Sequence, residues 1–296
     1  MSTQTIRRSV FFLLFCLNPI LHAEMLKIPP IQEGAAKAGK RVNIYLDSHP
    51  NIYYSVFLPY NYNDKISFPV ICEIPANCCN KKTATGTPDT TTYLGYGITK
   101  GYDYIWVSLP ILNSKGDKIL QFFYPDDPQQ TALCWLSILE DLNHRFNINN
   151  RKIILSGFSR GAVCTSFIGN CNDTISSKWA AYLAQAHFDG DCQVVSGNAD
   201  TRIQRIGNRP VLIIVGKNDI AKFCSQNAFR KLSNLGCQTT YMEVDDIEAE
   251  IWYDDIHSAV WANKSHTPCW ALKNDSIEAV QAKQWLDSVP EYNLNL

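Results

Sequence analysis

Ser159 stands in the run Gly157-Phe158-Ser159-Arg160-Gly161, one residue after the apolar stretch Ile153-Ile154-Leu155 and directly before a helix-compatible segment. A G-x-S-x-G pattern set between strand and helix is the arrangement of a nucleophile elbow. The turn is tight enough to lift a serine hydroxyl clear of the sheet. It needs glycines two residues either side because a Cβ there would collide with its neighbours. The alternative is an ordinary strand-to-helix turn with a capping serine. A serine hydroxyl is a weak nucleophile, so the chemical reading requires an imidazole to take its proton and a carboxylate to orient that imidazole.

Asp219, in Gly216-Lys217-Asn218-Asp219 after the strongest late strand, is the leading acid, with capping of the next helix as its plainer role. Asp189, in His187-Phe188-Asp189-Gly190, is the second choice. In a chain ordered nucleophile, acid, base, the base follows Asp219. His257 and His266 both qualify. His257 is favoured because it lies nearer the end of the preceding strand, and His266 is the alternate. His187 is expected to line the pocket. Two backbone N–H groups must receive an oxyanion: Arg160, next to the nucleophile, and Ala76 or Asn77, after the strand ending at residue 74. The loop 77–92 and the aromatic stretch 122–124 are candidates to shape a pocket, the latter equally a cover on the core edge.

These groups need a scaffold. Strands are expected at 41–46, 53–58, 68–74, 104–109, up to Ser159, 180–184, 210–215 and 239–244. Helices are expected near 90–100, over 133–146 (Trp135, Leu139, Leu142 and Phe146 on one face), around Ala228, Phe229, Leu232 and Leu235, and after a capping box at Asp275-x-x-Glu278. Strands alternating with helices imply an α/β fold, a mostly parallel sheet with helices on both faces. Catalytic groups of such a sheet gather beyond the carboxyl ends of its strands.

With 46% hydrophobic and 19% charged residues, the chain can bury a large core. Its formal net charge of −1 and lack of a long basic run argue against a nucleic-acid partner. Arg7-Arg8, an apolar run over 10–17 and Ala23 have the order of a signal peptide, cleaved after Ala23. The expected organisation is therefore a signal peptide over 1–23 and a single domain over 24–296. The product is expected to be secreted or periplasmic, with no stable membrane span after processing. Export permits disulfides. Cys72, Cys134 and Cys164 read as buried thiols, while Cys78, Cys79, Cys171, Cys192, Cys224, Cys237 and Cys269 are bridge candidates.

The segments 53–74, 133–162, 210–219 and 257–286 together resemble the α/β-hydrolase superfamily. Within it they are most similar to secreted esterases of the polyhydroxyalkanoate-depolymerase, feruloyl-esterase and prolyl-oligopeptidase-like catalytic-domain type. The resemblance covers most of the chain after the signal. It implies Ser159 as nucleophile, Asp219 as acid and His257 as base, in cleavage of a small-molecule or polymer-linked carboxylic ester without cofactor or metal. Two departures stand out: Pro75-Ala76-Asn77-Cys78-Cys79 replaces the usual His-Gly-Gly, and Arg160 follows the nucleophile where a small or apolar residue is usual. A peptidase or amidase, or a non-catalytic binding protein of the same fold, are the alternatives.

Overall fold

The computed structural model describes residues 25–76, 86–88, 91–120, 127–190, 198–246, 265–274 and 276–292. Residues 1–23, Asn77, Cys78, Cys79, 122–124, Cys192, His257 and Asp275, singled out from the sequence, lie outside that set.

The β-branched and aromatic runs pair into one eight-stranded sheet. Its strands are β1 (Arg41–Leu46), β2 (His49–Phe57), β3 (Phe68–Ile74), β4 (Ile105–Ser108), β5 (Ile148–Phe158), β6 (Ala181–Gln185), β7 (Pro210–Gly216) and β8 (Gln238–Val244). Across the sheet their order is β1-β2-β4-β3-β5-β6-β7-β8. The β1–β2 and β2–β4 pairs are antiparallel. From β4 onward every pair is parallel. The turn between β1 and β2 is short, since His49 already belongs to β2 and lies opposite Leu46.

Successive residues of each parallel strand feed opposite layers, as a strand's two-residue period requires. Val70, Cys72, Ile74, Ile153, Leu155, Val211 and Ile213 enter one core. There they meet Trp135, Ile138 and Leu142 of α2 (Gln129–Arg145), Val163 of α3 (Arg160–Phe167), and Ala228 and Leu232 of α6 (Lys222–Asn234). Ile71, Ile154, Leu183, Leu212 and Ile214 enter the other. Their partners are Leu94 and Ile98 of α1 (Leu94–Thr99), and Ala279, Ala282 and Leu286 of α7 (Ile277–Ser288). Two short helices, α4 (Asp173–Ser176) and α5 (Ala199–Gln204), complete the set. Both faces are covered, which suits a parallel sheet rich in continuous apolar strands.

Several local expectations shift. Leu235 is the residue that ends α6 and is exposed rather than part of its buried face. The cap of α7 is Ser276, one residue beyond the expected Asp275: its Oγ accepts from the Ala279 amide at 2.9 Å and donates to Glu278 at 3.1 Å. Cys72, Cys134 and Cys164 are buried free thiols. Burial pushes their thiols up, that of Cys134 to about 12. Of the bridge candidates, Cys171, Cys237 and Cys269 are free thiols, so the export argument gains no described disulfide. No helix among the described residues is long and apolar enough to cross a membrane.

The chain just past β3 is fixed by a buried carboxylate. Helix α1 has no side-chain cap of its own, yet the first amides of a helix need acceptors. Glu73 supplies them, accepting from the amides of Tyr93 at 2.6 Å, Leu94 at 2.9 Å and Gly95 at 2.9 Å. It also accepts from the Trp106 indole at 2.8 Å. Burial pushes the Glu73 carboxyl above its ordinary range, and these four donors pull it back. The Arg41 guanidinium lies 4.3 Å over the Trp106 ring and donates to the Pro88 carbonyl and Thr92 hydroxyl. Replacing Glu73 by leucine removes the acceptor of four donors, three of them buried. We expect Glu73→Leu to lower unfolding free energy by about 3 kcal/mol or more, read from the urea midpoint. A loss under about 1 kcal/mol would show that the cluster is not needed there.

Candidate active site

Residue 159 occupies a backbone conformation that serine seldom adopts, with φ of 53° and ψ of −118°. The neighbouring glycines make it possible. A Cβ on Gly157 would stand 2.4 Å from the Gly161 carbonyl carbon, and one on Gly161 would stand 2.4 Å from the Ile74 carbonyl oxygen. Strand β5, the turn and the end of β3 therefore touch backbone to backbone. The Ser159 amide donates to the Gln185 carbonyl at 2.9 Å, which ties the turn to β6. Helix α3 begins at Arg160, so the Arg160 N–H is the first helical amide beside the serine, at the positive end of the helix dipole. Ala76 is buried 2 residues past β3, and its carbonyl accepts from the Thr91 hydroxyl at 2.9 Å.

Asp219 follows β7 in a closed turn. Its amide donates to the Gly216 carbonyl at 3.0 Å, and its Oδ1 accepts from the Ala221 amide at 2.7 Å. The plainer role read from the sequence is thus realised in part: the carboxylate anchors the chain entering α6. The same carboxylate also faces an imidazole. His266 Nδ1 lies 2.9 Å from Oδ1 and 3.1 Å from Oδ2 of Asp219, and His266 Nε2 lies 3.3 Å from Ser159 Oγ. All three residues are nearly sealed, with 4% exposure for Ser159, 5% for Asp219 and 8% for His266. An ionised carboxylate only accepts hydrogen bonds, so Nδ1 carries the proton and Nε2 of the neutral ring is left to accept from the serine hydroxyl.

The histidine that meets both Asp219 and Ser159 is the alternate, His266, while the favoured His257 lies outside the described residues. Ser265, the first described residue after Asp246, lies at the end of the sheet. There the Ser265 carbonyl sits so close to β7 that a Cβ on Gly216 would be 2.1 Å from it. Ser265 Oγ accepts from the Asn218 amide at 2.8 Å and donates to Asp246, while Asn218 Nδ2 reaches the same carboxylate at 2.7 Å. These bonds lower the Asp246 carboxyl. Asp189, weighed as the other acid, is taken: it pairs with Arg202, whose Nη2 is 2.9 Å away, and accepts from Ser166 at 3.2 Å.

The His266 ring packs 4.9 Å from Phe158 and 5.9 Å from His187, centroid to centroid. His187 is therefore beside His266. Asn77 and 122–124 lie outside the described residues. Gln185, Ser265 and Asp246 were not singled out from the sequence. Only Gln185 had a local signal, as a polar residue closing the buried run Ala181-Tyr182-Leu183-Ala184.

No family model matches the chain, and no curated protein sequence does. Solved structures do. An arylesterase matches with a TM-score of 0.56 at 10% identity, over 88% of this chain and 87% of that one. An esterase structure from Rhizomucor miehei matches with a TM-score of 0.55 at 10% identity, over 89% and 85%. A thermostable esterase matches with a TM-score of 0.50 at 16% identity, over 83% of this chain but 62% of that one, so the match spans less than two thirds of its length. At such identities the likeness is one of fold, and the fold is that of the α/β-hydrolases.

The backbone of residue 159 offers a direct test. Glycine tolerates this conformation and alanine does not, though glycine gives up more freedom on folding. We expect Ser159→Gly to be more stable than Ser159→Ala by about 1 kcal/mol in chemical denaturation. Equal stabilities, or a more stable alanine variant, would mean that the turn is not strained.

Proposed function

We propose that the protein is a serine hydrolase that cleaves carboxylic esters through an acyl-enzyme, with Ser159 as nucleophile, His266 as base and Asp219 as acid. The observation that carries this reading is the unbroken run of contacts from Asp219 through His266 to Ser159 Oγ at a strained elbow. A capping serine would need neither the imidazole nor the strain. The ester, rather than amide, substrate rests on the fold-level likeness to proteins named as esterases.

In the first step His266 Nε2 takes the Oγ–H proton as Oγ attacks the ester carbonyl carbon. Asp219 stabilises the imidazolium without taking its proton. The tetrahedral oxyanion is met by the Arg160 amide and a second amide at Ala76, each worth ~10²–10³ in rate. The imidazolium then protonates the alkoxide as the carbon–oxygen bond breaks, and the alcohol leaves. Water enters, gives its proton to the same imidazole and attacks the acyl carbon. Collapse of the second tetrahedral species releases the carboxylic acid and returns the proton to Ser159.

The reading predicts that a fluorophosphonate labels the folded protein at Ser159, and that Ser159→Ala abolishes labelling. His266→Ala should lower kcat/KM on a short aryl ester by ~10⁴ or more, and Asp219→Asn by ~10³–10⁴. His257→Ala should remain close to wild type in both assays. Full activity in His266→Ala, with its loss in His257→Ala, would reverse the assignment of the base. No labelling of folded wild type would leave a non-catalytic binding protein. Turnover of amides in preference to esters would make it an amidase.

We further propose that the enzyme is exported to the periplasm or the medium, on the charged, apolar and small-residue order of 1–23. N-terminal sequencing of protein recovered outside the cytoplasm should begin at Glu24. Retention of Met1, or confinement to the cytoplasm, would refute this.

A further inference from the structure

Gln185 closes the otherwise apolar strand β6 and is fully buried, with 0% exposure. Burying a primary amide is unfavourable unless its polar atoms are paired. Here the pairing is incomplete: Oε1 has no hydrogen-bond partner among the described residues. An apolar side chain of similar volume would remove that penalty, so the bond that the amide does make needs a reason.

That bond runs from Gln185 Nε2 to the Thr267 carbonyl, at 2.6 Å. Thr267 is the residue immediately after His266. The backbone of Gln185 points the other way in function, because its carbonyl accepts from the Ser159 amide at 2.9 Å. In the sheet, Gln185 lies opposite Phe158 of β5 and Ile214 of β7. One residue thus touches the nucleophile's turn through its main chain and the histidine segment through its side chain. The other neighbour of His266 is held differently: Ser265 is bonded to Asn218 and Asp246, on the side of the acid.

We propose that Gln185 is a positioning residue for the base: its carboxamide ties the histidine segment to the end of β6, beside the nucleophile's strand β5, keeping His266 Nε2 in line with Ser159 Oγ. The proposal rests on the reading of Ser159, His266 and Asp219 as a triad. His266 is bracketed by two anchors with separate duties. The Ser265 anchor sets the imidazole against Asp219, and the Gln185 anchor sets it against Ser159. Removing the second leaves the segment to pivot about the first. The imidazole then keeps its acid and loses its line to the serine. Misplacement of a catalytic group by about 1 Å costs roughly 10²-fold in rate.

The test uses the mature full chain with Gln185→Met, which keeps length and loses the donor, and Gln185→Glu, which keeps shape and sets an oxygen where the donor was. Each folded variant is labelled with a fluorophosphonate, recording both the rate per site and the final stoichiometry, and is assayed on an aryl ester. We expect labelling to reach the wild-type stoichiometry at a rate ~10–100-fold lower, with kcat reduced to match and KM little changed. A merely structural glutamine lowers the folded fraction, and with it the stoichiometry, but leaves the rate of each folded site intact. A wild-type rate per site in either folded variant overturns the proposal. So does failure of both variants to fold, which assigns the residue to stability. If wild type itself is not labelled, the triad reading has failed instead, and that outcome is distinct because it needs no Gln185 variant.

Discussion

Everything at the candidate site depends on a backbone held where serine would not rest by itself. Ser159 keeps φ at 53° because β5, α3 and the end of β3 are packed with no room for a side chain at Gly157 or Gly161. Strain of this kind costs ~1–3 kcal/mol and persists only when its surroundings over-determine it. The surroundings here are buried: the last six residues of β5 and all of β6 are covered. Strand β5 has β3 on one side and β6 on the other, and both of its faces are covered by apolar side chains. The turn is therefore held by the packed core around it together with the Ser159 amide bond to Gln185.

The same economy governs the polar groups around the turn. Each lies at the end of a strand and each satisfies backbone atoms that the fold leaves open. Glu73 answers the amides of α1, Asp219 answers the amide of Ala221, and Asp246 with Ser265 answers Asn218. Asp219 does this while facing His266. The anchoring of the turn and the contact with the imidazole are thus shared by one carboxylate. Asp189, next to the same strand ends, is paired with Arg202 and has no such second face.

Much of this was legible in the sequence, and the parts that were share a physical cause. Strands β3, β5 and β7 carry short apolar runs rich in β-branched residues, and the elbow is marked by two glycines whose absence of a Cβ is a local necessity. Ser159, Asp219 and the α/β layering could be read from such local patterns. The choice between His257 and His266 could not. Both follow β8 in a polar stretch without periodicity, and what brings His266 home is a set of long-range bonds from Ser265 to Asn218 and from Gln185 to Thr267. Bonds between residues 47 and 82 positions apart leave no trace in spacing. Ser276 replaced Asp275 as a cap for a smaller reason, because adjacent capping residues differ only in where the helix begins.

The separation of the reacting groups along the chain has its own consequence. His266 meets a serine 107 residues earlier, across a carboxylate 47 residues earlier. On the proposed triad, a partly folded chain holds an elbow without its proton acceptor until the segment Ser265 to Thr267 docks beside β6 and β7. On that reading, reactivity arrives only with this long-range contact.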